Sequence, residues 1–142
     1  MKIMVSACLL GRDCKYIGGN NRNEALIRLL DGHTVIPVCP EELGGLPTPR
    51  VPAEIVNGTV VNREGACVDR AFREGAERAL AAAKRERPDR IILQSRSPSC
   101  GVKEIYDGTF SGRLVPGSGV FAAMAREAGF RVEDVEDVLK DG

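Results

Sequence analysis

Short apolar runs alternate along the chain with stretches whose apolar positions recur every three or four residues. The runs are residues 2–6 (Lys-Ile-Met-Val-Ser), 34–38 and 90–94. An unbroken apolar run of this length between turn signals predicts a strand buried on both faces. Elsewhere the period lengthens to that of a helix. Ala25, Leu26, Leu29 and Leu30 share a face over residues 22–30, with Asn21 or Asn23 as cap and Asp31-Gly32 as stop. Phe72, Ala76, Ala79, Leu80 and Ala83 form a stripe over residues 68–87, ended by Pro88. Asp69–Arg73 and Glu74–Arg78 are spaced as i,i+4 ion pairs on that helix. Gly117-Ser118-Gly119 opens a third helix to about residue 128, with Val120, Phe121, Met124 and Ala128 inward and Gly129 as its end. Residues 130–132 predict a last short strand and residues 135–140 a terminal helical turn or two. Asn57-Gly58 and Asp107-Gly108, each beside β-branched or aromatic residues, predict hairpins.

The order of elements predicts a single α/β domain over residues 1–142, with a mostly parallel, Rossmann-like sheet flanked by helices and two β-hairpin insertions. Such sheets bind ligands beyond the carboxyl ends of their strands. Cys8 follows the first strand, Cys39 the second and Cys100 the third. Three thiols remote in sequence would therefore converge on one rim.

Composition narrows the setting. The 20 basic and 20 acidic residues cancel, so no charge excess points to nucleic acid or a membrane surface. The first residues are too short and mixed for a signal peptide, and no run approaches the ~20 apolar residues of a membrane helix. A cytoplasmic protein is expected. Five cysteines, at 8, 14, 39, 67 and 100, are an odd number without a CxxC pair. That excludes zinc ribbons, thioredoxin-type motifs and clustered ferredoxin spacing, and argues against a disulfide framework. No phosphatase-type Cys-x5-Arg loop starts at Cys8, Cys39 or Cys100, whose sixth following residues are Cys14, Gly45 and Tyr106.

The segment Cys39-Pro40-Glu41-Glu42-Leu43-Gly44-Gly45-Leu46-Pro47-Thr48-Pro49-Arg50 carries a thiol, two acids and an arginine where a plain turn would suffice. Cys39 reads as a metal-cluster ligand and the neighbouring acid as a proton carrier. Glu41 is favoured over a solvated Glu42, though the sequence does not fix which faces inward. Arg50 is open between an anionic substrate group and an acid partner. Tyr16 is open between stacking on a ligand ring and ordinary half-burial. Cys14 is open between core and pocket lining, Cys67 reads as a buried core residue, and His33 as a solvated turn residue.

Ser6-Ala7-Cys8-Leu9-Leu10-Gly11, Cys14-Lys15-Tyr16, Cys39-Pro40-Glu41 with Gly44-Gly45-Leu46 and Pro49-Arg50, and Ser97-Pro98-Ser99-Cys100-Gly101 resemble the motifs of the thiouracil desulfidase family over nearly the whole chain. The resemblance implies a [4Fe–4S] cluster held by only Cys8, Cys39 and Cys100. The open iron takes the sulfur of a thiolated pyrimidine such as 2-thiouracil, and water replaces that sulfur without net redox change. It also implies catalytic parts for Glu41 and Ser97. Lys15 stands where the family has Arg, and Ile17 interrupts its Tyr-Asp-Gly, so the entrance loop departs from the pattern. The chemistry is coherent in itself: soft thiolates suit iron–sulfur clusters, and an open iron is a Lewis acid. A nearby carboxylate activates water, and Ser97 or Ser99 holds substrate. Tyr16, Ser99 and Arg50 are the expected substrate contacts, and the helix start at 117–119 offers further N–H donors if it faces the crevice. Two other readings compete. One is a zinc or cysteine-nucleophile enzyme on the same rim, weakened by the single histidine. The other is a non-catalytic cluster or sulfur carrier, which has no need of Glu41. The partner expected is a small thiolated base, with no direct contact to nucleic acid or membrane.

Overall fold

The computed structural model describes residues 1–141. Strand β1 (Lys2–Ser6) passes through a 3-10 turn, Ala7–Leu10, to helix α1 (Glu24–Leu29) and strand β2 (Thr34–Val38). A single-turn helix α2 (Pro40–Leu43) precedes a hairpin of β3 (Ala53–Val56) and β4 (Thr59–Asn62). The long α3 (Asp69–Glu86) leads to β5 (Arg90–Leu93) and a second hairpin, β6 (Glu104–Tyr106) with β7 (Leu114–Pro116). Helix α4 (Val120–Glu127), strand β8 (Val132–Asp134) and helix α5 (Val135–Asp141) follow.

The main sheet is parallel throughout, in the order β2-β1-β5-β8. Met4 pairs with Ile36 on one side and Ile91 on the other. The chain leaves β1 for β2, then crosses back to place β5 on the opposite flank. The carboxyl end of β1 is thus the point where strand order reverses, the usual crevice of such sheets.

Period-two alternation sends side chains to two layers. Ile3, Val5 and Ile92 pack with Leu26 and Leu30 of the α1 segment and Val135 and Val138 of α5. Met4, Ile91 and Leu93 pack with Phe72, Ala76, Ala79 and Ala83 of α3 and Phe121, Ala122 and Ala125 of α4. Both faces being covered explains why these strands read as unbroken apolar runs. Among the described residues no helix is long and apolar enough to cross a membrane.

Several sequence expectations are revised. Asn23 is the α1 cap, its Oδ1 accepting from Leu26 N at 3.0 Å, so Arg22 lies outside the helix. Asp69–Arg73 forms at 2.9 Å, but Glu74 pairs with Arg70 at 2.9 Å. Arg78 instead donates to the Leu43 carbonyl, one of the acceptors that the end of α2 leaves unpaired. Asp107-Gly108 does not close a two-residue hairpin, because Tyr106 pairs with Leu114 across a longer loop. Glu54 Oε1 draws that loop away, accepting from Gly108 N at 3.0 Å and Phe110 N at 3.1 Å. Cys67 is exposed rather than core, in a bridge to Val61 at the margin of the first hairpin.

At the closest approach of α2 to α3, backbone meets backbone. A Cβ at Gly44 would fall onto the Ala71 carbonyl, and one at Gly75 onto the Pro40 carbonyl and within 2.9 Å of Gly44 N. Two glycines, one on each segment, let α2 lie directly on α3. Gly75→Ala is therefore expected to destabilise the protein by about 3 kcal/mol, since neither backbone can yield without moving an element. Thermal unfolding of the metal-free protein measures it, and an unchanged midpoint would show that α2 is not held by this contact.

Candidate functional site

Three loops leave the carboxyl edge of the sheet and face one cavity of about 800 Å³. The strand ends are levelled by Ser6, whose Oγ accepts from Gln94 N at 2.9 Å. In the first loop Cys8 sits in the 3-10 turn, its carbonyl accepting from Gly11 N and Asn21 N at 3.2 and 3.0 Å. Asn21 Nδ2 approaches Cys8 Sγ at 3.6 Å. In the second, Cys39 is the N-cap of α2 and Pro40 its first residue. Proline is preorganised for that position. The Cys39 side chain makes no capping bond, which leaves its sulfur to the cavity.

The third loop is a tight turn in which Ser97 Oγ accepts from Cys100 N at 2.6 Å and Ser97 O from Gly101 N at 2.9 Å. The start of α4 closes it: Val120 N donates to Pro98 O at 2.8 Å and Phe121 N to Ser99 O at 2.9 Å. The N–H donors expected to face a ligand at this helix start are thus spent on the loop. Only glycine fits at 119, where a Cβ would stand 2.7 Å from Ser99 O.

The residues expected to bind or react, Cys8, Tyr16, Cys39, Glu41, Arg50, Ser97, Ser99 and Cys100, all line this cavity. Glu41 faces it, with Oε1 accepting from Arg50 Nε at 3.0 Å and Oε2 from Ser99 Oγ at 2.7 Å. Glu42 pairs with Arg12 at 2.8 Å and is not among the residues lining the cavity. Ser97 Oγ lies 3.3 Å from Ser99 Oγ. Because Ser99 gives its proton to Glu41, the hydroxyls run in the order Ser97, Ser99, Glu41. Tyr16 is 41 % exposed, at the cavity wall.

Cys14 is the member the sequence left unassigned. It is 2 % exposed and lines the same cavity. Among the described residues, the one trio of metal-capable side chains with donor atoms all within 4.8 Å is Cys14, Cys39 and Glu42. No spacing announces it, because Cys14 reaches Cys39 only after a polar loop folds back over the rim. Two thiols and a carboxylate that close suit a single metal ion, whose thiolate ligands stand about 3.8 Å apart for ~2.3 Å bonds in a tetrahedron. Cys8, Cys39 and Cys100 do not meet that mutual limit.

The thiols differ in proton affinity. Contact with the Cys14 thiol lowers Cys8, against the opposing effect of burial, and the Asn21 amide adds to the lowering. Contact with Cys14 and then burial push Cys39 far up. For Cys14 the interaction with Cys39 pulls down, but Cys8 and burial together outweigh it and raise it to about 11. Burial first, then the Glu41 charge, pushes Cys100 up to about 12 despite help from Ser6 and Ser99. Buried thiols without a cation to ionise them fit a metal-type partner, which supplies the charge and displaces the protons.

The family described as 2-thiouracil desulfurase matches residues 3–137. The uncharacterized protein YbbK of Bacillus subtilis (strain 168) is 42 % identical over 150 aligned positions, covering 96 % of this chain and 99 % of its own. The solved structure of the [4Fe-4S]-dependent thiouracil desulfidase TudS superposes with a TM-score of 0.91 at 37 % identity, covering 98 % of this chain and 93 % of the other.

The thiolate is the reactive form of cysteine. Cys8, lowered, ionises first as pH rises, whereas Cys14, Cys39 and Cys100, raised, keep their protons to higher pH. In metal-free, reduced protein, iodoacetamide is expected to label Cys8 before the other three across a rising pH series, read site by site by mass spectrometry. Equal onset at all four would contradict this ordering.

Proposed function

The chain belongs to the 2-thiouracil desulfurase family, and on that premise we propose that it is an iron–sulfur-dependent desulfidase acting on a thiolated pyrimidine. The reaction converts C=S and water to C=O and hydrogen sulfide, with no net redox change. One observation carries the reading: thiols from three strand ends and a carboxylate beside one of them line a single cavity. Cys8, Cys39 and Cys100 would hold a [4Fe–4S] cluster by three ligands. Such a cluster, when bound, supplies a Lewis-acidic iron with a position free for a thiocarbonyl sulfur.

The protein's own groups do the rest. Glu41, oriented on both oxygens and still partly open to the cavity, takes a proton from water as general base and returns it to the ring nitrogen or the departing sulfide. Ser97 steadies that carboxylate through Ser99 and keeps the Cys100 turn closed. Val38, Leu46 and Phe72 give the cavity apolar wall, which limits competing water. Tyr16, at its margin, offers a ring for the pyrimidine to stack on. A sulfur or cluster carrier has no use for a carboxylate held from two sides, and the arrangement of Glu41 favours the enzyme.

Anaerobic reconstitution with iron and sulfide is expected to load about four irons per chain and to give sulfide release from 2-thiouracil. Glu41→Gln should keep the iron and slow release by about 10²–10⁴-fold, the usual contribution of a general base. Cys100→Ser should lose the iron. Reduced protein that takes up no iron, or Cys100→Ser binding as much as wild type, would remove the cluster from the reading. Zinc uptake in its place, lost in Cys14→Ser, would point to the single-ion trio.

A further inference from the structure

Arg50 was open between substrate and acid, and its hydrogen bonds bear on the choice. The side chain is 8 % exposed. Nε donates to Glu41 Oε1 at 3.0 Å, Nη1 to Pro47 O at 3.1 Å and to Thr48 Oγ1 at 3.0 Å, and Nη2 to Cys14 O at 2.8 Å. Four of its five N–H donors are thereby used inside the protein. We propose that Arg50 is a positioning residue for Glu41, fixing the carboxylate against the Cys14 loop so that its oxygens meet water and substrate at one geometry. This rests on the reading of Glu41 as general base.

The geometry favours this over a substrate contact. A guanidinium already turned to a carboxylate, two carbonyls and a hydroxyl has little left to offer an anion. Arginine is also the residue such a set of acceptors requires. Its planar fork reaches several fixed directions at once, whereas lysine offers one compact ammonium. Ser99 alone would hold only Oε2 and leave Glu41 free to turn about that bond. The main chain provides a useful separation of effects: Arg50 N donates to Tyr16 O at 2.7 Å. That bond does not use the side chain and remains available to Arg50 variants.

The test compares Arg50→Gln, Arg50→Lys, Glu41→Gln and the Glu41→Gln/Arg50→Gln double variant, all reconstituted anaerobically and assayed with 2-thiouracil. Arg50→Gln is expected to lower kcat by about 100-fold, the usual effect of a displacement near 1 Å in a reacting group. KM and iron per chain should stay at wild-type values, and Arg50→Lys should recover part of the loss. In the Glu41→Gln background, removing Arg50 should cost nothing further, because its effect runs through Glu41. In metal-free Arg50→Gln, iodoacetamide should label Cys14 several-fold faster, its carbonyl having lost the Nη2 bond. A loss confined to KM would make Arg50 a substrate contact and overturn the proposal. So would a further loss in the double variant, unchanged Cys14 labelling, or loss of iron in both Arg50→Gln and Arg50→Lys. Full activity in Glu41→Gln would sink the general-base reading itself. A slow Glu41→Gln beside a wild-type Arg50→Gln would sink only the part assigned to Arg50.

Discussion

The site depends on the double pairing of β1. With parallel neighbours on both sides and its register fixed at Met4 against Ile36 and Ile91, the carboxyl ends of three strands arrive level. The Ser6–Gln94 bond holds two of those ends together where the ladder stops. A slip of one residue in either pairing would turn the apolar side chains to the wrong layer, so the buried faces enforce the alignment. The three cysteines need no direct contact to be brought together. The sheet aligns them as a consequence of burying Ile3, Met4, Val5, Ile91, Ile92 and Leu93.

From that edge the loops divide the chemical work. The first supplies Cys8 and Cys14, the second Cys39 and Glu41, and the third Cys100 with its two serines. The loops are joined to one another mainly by polar contacts. Glu41 reaches Ser99 in one direction and Arg50 in the other, and Arg50 continues to Cys14. Beneath this layer, the close approach of Gly44 and Gly75 allows α2 to sit on α3 without intervening side chains. Soft sulfurs and a hard carboxylate thus occupy one wall, each fixed by a different kind of contact.

The sequence was legible wherever one periodic signal dominated. The apolar runs located β1, β2 and β5, while the last strand, expected at residues 130–132, lies at Val132–Asp134. The alanine-rich stripe located α3, and the strand-end cysteines could be placed on one rim from topology alone. What escaped depended on contacts between segments distant in the chain. The second hairpin opens because Glu54, from another hairpin, captures its amides. Arg78 leaves Glu74 because α2 presents an unpaired carbonyl nearby. Cys67 is exposed because it precedes α3 at a hairpin margin, a position that composition cannot distinguish from core. Cys14 and the direction of the Arg50 fork followed only once the first and second loops were folded together.

The closure of the third loop by α4 has a consequence for how the site comes into being during synthesis. Cys8 and Cys39 belong to the first third of the chain, yet the turn presenting Cys100 is pinned by amides at Val120 and Phe121. A nascent chain still holding those residues inside the ribosome carries Cys8, Cys14 and Cys39 on an unfinished edge, with Cys100 not yet held in place. A group that needs Cys100 beside them would find the wall incomplete at that stage. The complete edge therefore exists only after the α4 segment has emerged, and the fold itself sets the earliest moment at which all the strand-end thiols can face one cavity.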